Sequence, residues 1–260
     1  MAEGLHKGDG GKHLITFHPR GPSMSSAFLQ DADWIDFHMS QSSHAARDHD
    51  NGLFIEHDYN LTPVKPTLDG EPRYERIPVG FYLKGADRDD LFDDYDARQA
   101  AWWAVMAGAC GHTYGNNSVW QMWEPKHRPV IWANVPWYEA LDDPGARQMG
   151  YLRKLFEAHD YQKLQPSKDF VVNGPNHGGA KIRALLASDG TLAMVYSPRG
   201  EPFTVDLGLM KKPQTKVSWY DPRTGESTEL YTGDSVAFQT FTPPTNGRGN
   251  DWVTVFEAVE

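Results

Sequence analysis

The segment Lys65–Glu75, KPTLDGEPRYE, sets three carboxylates, Asp69, Glu71 and Glu75, beside two prolines and a glycine. Carboxylates gathered at one place can divide the work of proton donor and of nucleophile or base across a scissile bond. Asp69-Gly70 could also be a hairpin turn, but a hairpin needs alternating strands on both sides. Glu71, Pro72 and Arg73 follow instead, and Pro72 has no N–H to give a ladder. The spacing therefore predicts a strand from Lys65 to Leu68 that stops at Asp69 and feeds an irregular loop. On these residues alone, Glu71 is more readily a solvated loop glutamate paired with Arg73 or Arg76.

Other polar residues fall just after apolar runs. His18 ends HLITFH (13–18), and Gln41, Ser42 and His44 follow WIDFHMS (34–40). Tyr114, Asn116, Asn117 and Trp120 lie in GHTYGNNSVWQM (111–122). Amides and hydroxyls can bond sugar hydroxyls, and an indole can stack on a ring face. Each of these residues alone could equally serve a loop or a cap. His38, His44, His49 and His57 invite a metal reading, but no His-Glu-x-x-His is present. Asp48, Asp50 and Asn51 carry only part of the alternation of a calcium loop. No metal and no cofactor is expected. Neither a Gly-x-Ser-x-Gly elbow nor a phosphate-cradling loop occurs.

Elements must position these groups. The first two thirds repeat a short apolar run, a polar loop and a helix. Strands are expected at 13–18, 34–40 and 65–68, with a fourth strand and its loop at 111–122. Helices are expected at 25–30, 52–59, 89–108 and 144–163, the last with Met149, Leu152 and Phe156 on one face. Strands alternating with helices imply parallel β/α units. After LQPSKD (164–169) the helical period vanishes. Short strands recur, KIRALLAS and TLAMVYS flank Asp189-Gly190 as a hairpin, and WVTVFEAV closes the chain. That half reads as an antiparallel β-sandwich. The boundary is placed at 166/167.

Composition bounds the rest. A chain of 260 residues with 39% apolar and 23% charged residues folds rather than staying disordered. Its formal charge of −10 argues against a nucleic-acid backbone or an anionic membrane as main partner. No apolar run is long enough to span a membrane. The single cysteine, Cys110, excludes an intrachain disulfide and is expected as a buried, inert thiol in a helical stretch. The first residues, MAEGLHKGDGGKH, carry no apolar signal-peptide core.

The stretches GLHKGDGGKHLITFHPRGPSMSS, DWIDFHMSQSSH, KPTLDGEPRYE and GHTYGNNSVWQM together resemble the apiosidase-like glycoside hydrolases, (β/α)8-barrel proteins of plant-polysaccharide degraders. The tail, VSWYDPRTGE and FTPPTNGRGNDWVTVFE, resembles the β-sandwich appended to them and labelled a collagen-binding domain of a collagenase. The resemblance implies an α/β region, residues 1–166, holding strands five to eight of a TIM-type barrel, then an all-β sandwich, residues 167–260. A whole barrel takes about 250 residues, so the expectation is a fragment, or a half that pairs with another chain or with a second copy. The implied substrate is an oligo- or polysaccharide of the plant cell wall, pectic or apiose-containing, met outside the cell or in the periplasm. Glu71 matches the position suspected as nucleophile; His18, Gln41, His44, Asp69, Tyr114, Asn116 and Trp120 fall to substrate binding. The family's acid/base is an aspartate in a Gly-Gly-Asp context, whereas Gly10-Gly11 here is followed by Lys12. Asp36 and Glu56 are poor substitutes, so the chain alone is expected to have little activity. The alternative is a non-catalytic carbohydrate- or matrix-binding protein with a vestigial half-barrel.

Overall fold

The computed structural model describes residues 1–260. It opens with helix α1 (Ala2–Asp9), strand β1 (Ser23–Met24) and helix α2 (Ser26–Leu29). Three strand–helix steps follow: β2 (His38–Gln41) with α3 (Gly52–Tyr59), β3 (Thr67–Glu71) with α4 (Asp94–Met106), and β4 (Gly111–His112) with α5 (Asn117–Trp120), α6 (Trp137–Ala140) and α7 (Pro144–Glu157). The sheet order is β1-β2-β3-β4, with β1 antiparallel and the other pairs parallel.

The strands differ from expectation at their ends. Residues 13–18 form no strand, and β2 begins only at His38. Asp36 accepts the Ile15 N–H at 2.6 Å and Thr16 donates to the Phe37 carbonyl at 2.6 Å, so side chains take most of the pairing there, beside one backbone bond from the Asp36 N–H to the Ile15 carbonyl at 2.9 Å. Conversely, β3 runs through Asp69-Gly70 to Glu71 instead of stopping. A Cβ at Gly70 would sit 2.6 Å from the Met39 side chain, so glycine lets Met39 lie across the strand. The register slips once here, pairing Asp69 with Ser40 and Glu71 with Gln41. Such a bulge re-aims the last side chain of a strand.

Helix α4 starts at a capping box of Asp93 and Asp96 and is buried on nearly every side. It starts later than the expected Asp89, because residues 90–92 form backbone bonds with 76–79 instead. Cys110 lies beyond its end and is exposed, which corrects the expected buried thiol. Helix α7 stops at Glu157, short of Lys163; its Met149, Leu152 and Phe156 do face one cleft beside α4.

The remaining strands are β5 (Leu164–Pro166), β6 (Val171–Asn173), β7 (Arg183–Ala187), β8 (Leu192–Ser197), β9 (Phe203–Val205), β10 (Gln214–Asp221), β11 (Glu226–Asp234), β12 (Gln239–Phe241) and β13 (Trp252–Val259). They form two antiparallel sheets, β11-β10-β13-β8-β7-β5 and β12-β9-β6. Phe170, Val195, Phe203, Val217, Phe241 and Phe256 join the two sheets in one apolar core. On the opposite face of the larger sheet, Met194, Tyr196 and Val255 pack with Trp102, Trp103 and Phe156 of α4 and α7. Strand β8 is buried on both faces, which is why LAMVYS is a continuous apolar run rather than an alternating one. Ion pairs also link the halves. Arg98 of α4 forks onto Asp251 at 2.9 and 2.7 Å, with both residues buried.

Candidate functional site

The C-terminal ends of the adjacent parallel strands β2 and β3 converge on Glu71. Gln41, the last residue of β2, donates Nε2–H to Glu71 Oε1 at 2.7 Å. Its own Oε1 accepts the Gly21 N–H at 2.6 Å, so the amide is fixed from both ends. His44 Nε2 lies 3.2 Å from the same carboxylate oxygen and His18 Nε2 lies 3.0 Å from the other. His18 Nδ1 faces the Pro19 carbonyl at 2.9 Å. His44 is buried, its ring against Tyr74 (5.0 Å, edge-on) and Phe81 (5.9 Å). The Glu71 side chain keeps 23% of its surface exposed. The hydrogen bond from His44 holds its carboxyl below the ordinary range; partial burial opposes this, and the charges of His44 and His18 reinforce it. Glu71 is thus an accessible carboxylate kept in its charged form.

One layer deeper on the same strand, Asp69 is fully buried. Ser42 donates to its Oδ2 at 2.7 Å and Asn51 at 2.8 Å. Burial raises its pKa to about 6 against those bonds and the nearby Arg73. It has no surface to offer a sugar, so its expected contact with substrate is corrected to support beneath Glu71. The loop between Ser42 and His44 turns at Ser43, whose φ of 122° is rare for a residue with a Cβ. Ser43 Oγ lies 3.1 Å from the Tyr82 hydroxyl.

A second cluster forms around Glu75. It is buried and accepts from the Tyr114 hydroxyl at 2.6 Å and from the Gly145 N–H, in the first turn of α7, at 3.1 Å. Burial raises its pKa to about 7, despite the Tyr114 bond, with Asp143 and Asp94 adding repulsion. Asn116 caps α5 through Ser118 and Val119 and donates to Asp143 at 2.8 Å. Buried and fully engaged, it offers nothing to a substrate, which corrects its assignment. Tyr114 is tied to Glu75 rather than to Glu71. Trp120 is 48% exposed on α5, with its indole N–H turned to Asn117.

The structure therefore brings Glu71, His18, Gln41 and His44 into direct contact and sets Asp69 behind them. Neither Arg73 nor Arg76 pairs with Glu71: Arg73 is buried on backbone carbonyls and Gln99, and Arg76 pairs with Asp143. Tyr74, Phe81 and Asn51 are the participants that sequence reasoning missed. PRYE gave Tyr74 no pattern of its own, and Asn51 sat within what read as part of a calcium loop. No group of three or more His, Cys, Asp or Glu is arranged to hold a metal ion. Asp48 and Asp50 instead meet Arg199, Arg183 and Lys181.

An accessible carboxylate at the mouth of parallel strands, ringed by an amide and two imidazoles, sits where α/β hydrolytic folds place their chemistry. The chain is similar to two solved glycoside hydrolases. A glycoside hydrolase is 31% identical with TM-score 0.91, the match covering 99% of this chain and 60% of that one. A glycoside hydrolase family 5 protein from Bacteroides vulgatus ATCC 8482 is 29% identical, also at TM-score 0.91, covering 99% of this chain and 57% of that one. The fold is that of glycoside hydrolases, and the chain spans about three fifths of the length of these structures. Residues 1–163 match the family model "Apiosidase-like, catalytic domain", and the chain belongs to that family. Residues 165–257 match "Putative collagen-binding domain of a collagenase". No curated protein matches the chain.

Proposed function

We propose that this chain supplies the nucleophile side of an active site that hydrolyses O-glycosidic bonds in plant cell-wall glycans, pectic and apiose-containing ones. Glu71 is the attacking carboxylate. The observation that carries this reading is its triple anchorage by Gln41, His44 and His18 at the end of β3, which keeps it charged, oriented and accessible. An anion is what a retaining mechanism needs on the face opposite the leaving group. Gln41 keeps a second Nε2–H for a sugar hydroxyl, the two histidines act through the carboxylate they hold, and the exposed Trp120 offers a ring face farther along the same strand ends.

The proton donor is proposed to come from polypeptide outside these 260 residues. Asp69 is fully buried beneath Glu71, and Glu75, the next glutamate in sequence, is sealed beneath Tyr114 and α7. In this reading the four-stranded sheet is strands five to eight of a (β/α)8 barrel, and the two antiparallel sheets are the appended sandwich. The test expresses the chain alone and extended through its upstream coding region, then assays both on pectic oligosaccharides. Cleavage is expected from the extended form and lost by several orders of magnitude in Glu71→Gln. An extended Glu71→Gln variant as active as the unaltered protein would remove Glu71 from the chemistry. Robust turnover by the 260-residue chain alone would place the acid within it.

A further inference from the structure

The loop Asp48–Asn51 lies between the Glu71 site and the antiparallel sheets, and every residue of it is held. Asp48 has φ 56°, a left-handed turn, and its carboxylate meets Gln99 and Arg199. Arg73 donates to the His49 carbonyl at 2.6 Å. Both carboxylate oxygens of Asp50 accept from Arg183 Nη2, at 2.7 and 3.0 Å, and its Oδ2 also accepts from Lys181 at 2.8 Å. Two glycines permit this closeness. A Cβ on Gly52 would fall 2.5 Å from the Arg183 guanidinium, and one on Gly179 would fall 2.3 Å from the Asp48 carboxylate. Three cations of the C-terminal region thus converge on Asp48 and Asp50, two acidic residues of one loop separated by His49.

That loop ends on Asn51, which is buried and donates Nδ2–H both to Asp69 at 2.8 Å and to the Ala100 carbonyl at 2.9 Å. Asp69 Oδ2 in turn accepts from Ser42 Oγ, and the Ser42 N–H donates to the Glu71 carbonyl at 3.1 Å. Two residues beyond Ser42 is His44, which touches Glu71. The restraint passes from the Arg183 guanidinium to the Asp50 carboxylate, along the backbone to Asn51, and from its amide to the Asp69 carboxylate and the Ser42 hydroxyl. Arg183 is itself buried, a placement whose desolvation cost needs this pairing with Asp50 and Glu56.

We propose that Arg183, with Lys181 and Arg199, is a positioning residue for the Glu71 site. The antiparallel region acts as a buttress that fixes loop 48–51, and Asn51 carries the restraint to Asp69 and the Ser42–His44 turn. This rests on the reading of Glu71 as the site, but its test needs no catalysis. Arg183→Met and Arg199→Met would be compared in the full chain by NMR, following the imidazole Hε1 signals of His18 and His44, assigned by single His→Asn variants. Leu207→Ala, which truncates a side chain in the core between the two antiparallel sheets, serves as a destabilised control. The signals of His18 and His44 should move or broaden in both arginine variants, while those of His6 and His127 stay. The control should lose thermal stability with the His18 and His44 signals in place. Arg199→Met changes a side chain that is 35% exposed, so it reads the same coupling should Arg183→Met fail to fold. Arginine variants that lower the melting temperature and leave both site histidines unmoved would overturn the proposal. So would a control that moves them equally.

Discussion

Strands β3 and β8 are both largely buried, and they bury opposite kinds of residue. Along β8 the enclosed side chains are Leu192, Ala193, Met194, Val195 and Tyr196; along β3 and its neighbour β2 they are Thr67, Asp69, His38 and Ser40. The antiparallel region spends its interior on apolar burial, at roughly 25 cal/mol per Å². The parallel sheet spends its interior on hydrogen bonds, whose net contribution is only about 1 kcal/mol each. Stability is therefore concentrated in one region and site chemistry in the other, with Arg98–Asp251 and the loop 48–51 pairs joining them. A sheet whose inner face is polar gains from a stiff neighbour.

The largest expected effect lies in the apolar half. Phe256→Ala removes a fully buried ring from the core between the two antiparallel sheets and should cost about 3–5 kcal/mol in denaturant unfolding. A loss below about 1 kcal/mol would mean the stability does not reside there.

Next comes pH. The fold favours protonated Asp69, raised from the ordinary 3.8 to about 6, so this group's contribution is fully present below about pH 3.8 and is lost as pH rises to about 6. The loss is on the order of 3 kcal/mol. Asp69→Asn should flatten that fall relative to the unaltered chain, and Glu75→Gln should flatten the part between about pH 4.5 and 7. Unfolding curves across pH that coincide for variant and parent would refute this. No comparable slope in this direction is expected from the apolar core.

The smallest effect is at Ser43. Glycine there would relieve a φ of 122° but forfeit the hydroxyl contacts to Tyr82 and Ala45 and free the unfolded chain. These offset, and Ser43→Gly should change stability by no more than about 1 kcal/mol in a melt. A loss beyond about 2 kcal/mol would show that the hydroxyl outweighs the backbone strain.

Much of this division was written in the sequence. The continuous apolar run of β8, the Asp189-Gly190 turn and the amphipathic pattern of α7 announce themselves, because burial there follows residue type. The strand-end residues Gln41, His44 and Glu71 were found through the motifs that carry the family resemblance. The polar sheet hid its limits for a physical reason. With side chains of Asp36 and Thr16 taking backbone partners, the apolar runs at 13–18 and 34–37 outlast the ladder. Asp69-Gly70 reads as a turn, yet its glycine serves Met39 across the strand. Asn116 looks like a ligand and is a helix cap, a distinction fixed by the backbone that follows it.

The sharpest comparison is between two glutamates four residues apart. Glu71 is accessible and held charged by His44 and His18, whereas Glu75 is sealed by Tyr114 and pushed up to about 7. Titrating the carboxyl carbons by 13C NMR, with each assigned from its Gln variant, reads both at once. The prediction is that Glu71 ionises below the usual glutamate range and Glu75 near neutrality. Equal midpoints, or a Glu71 that takes up its proton at a higher pH than Glu75, would contradict the assignment of Glu71 as the attacking anion.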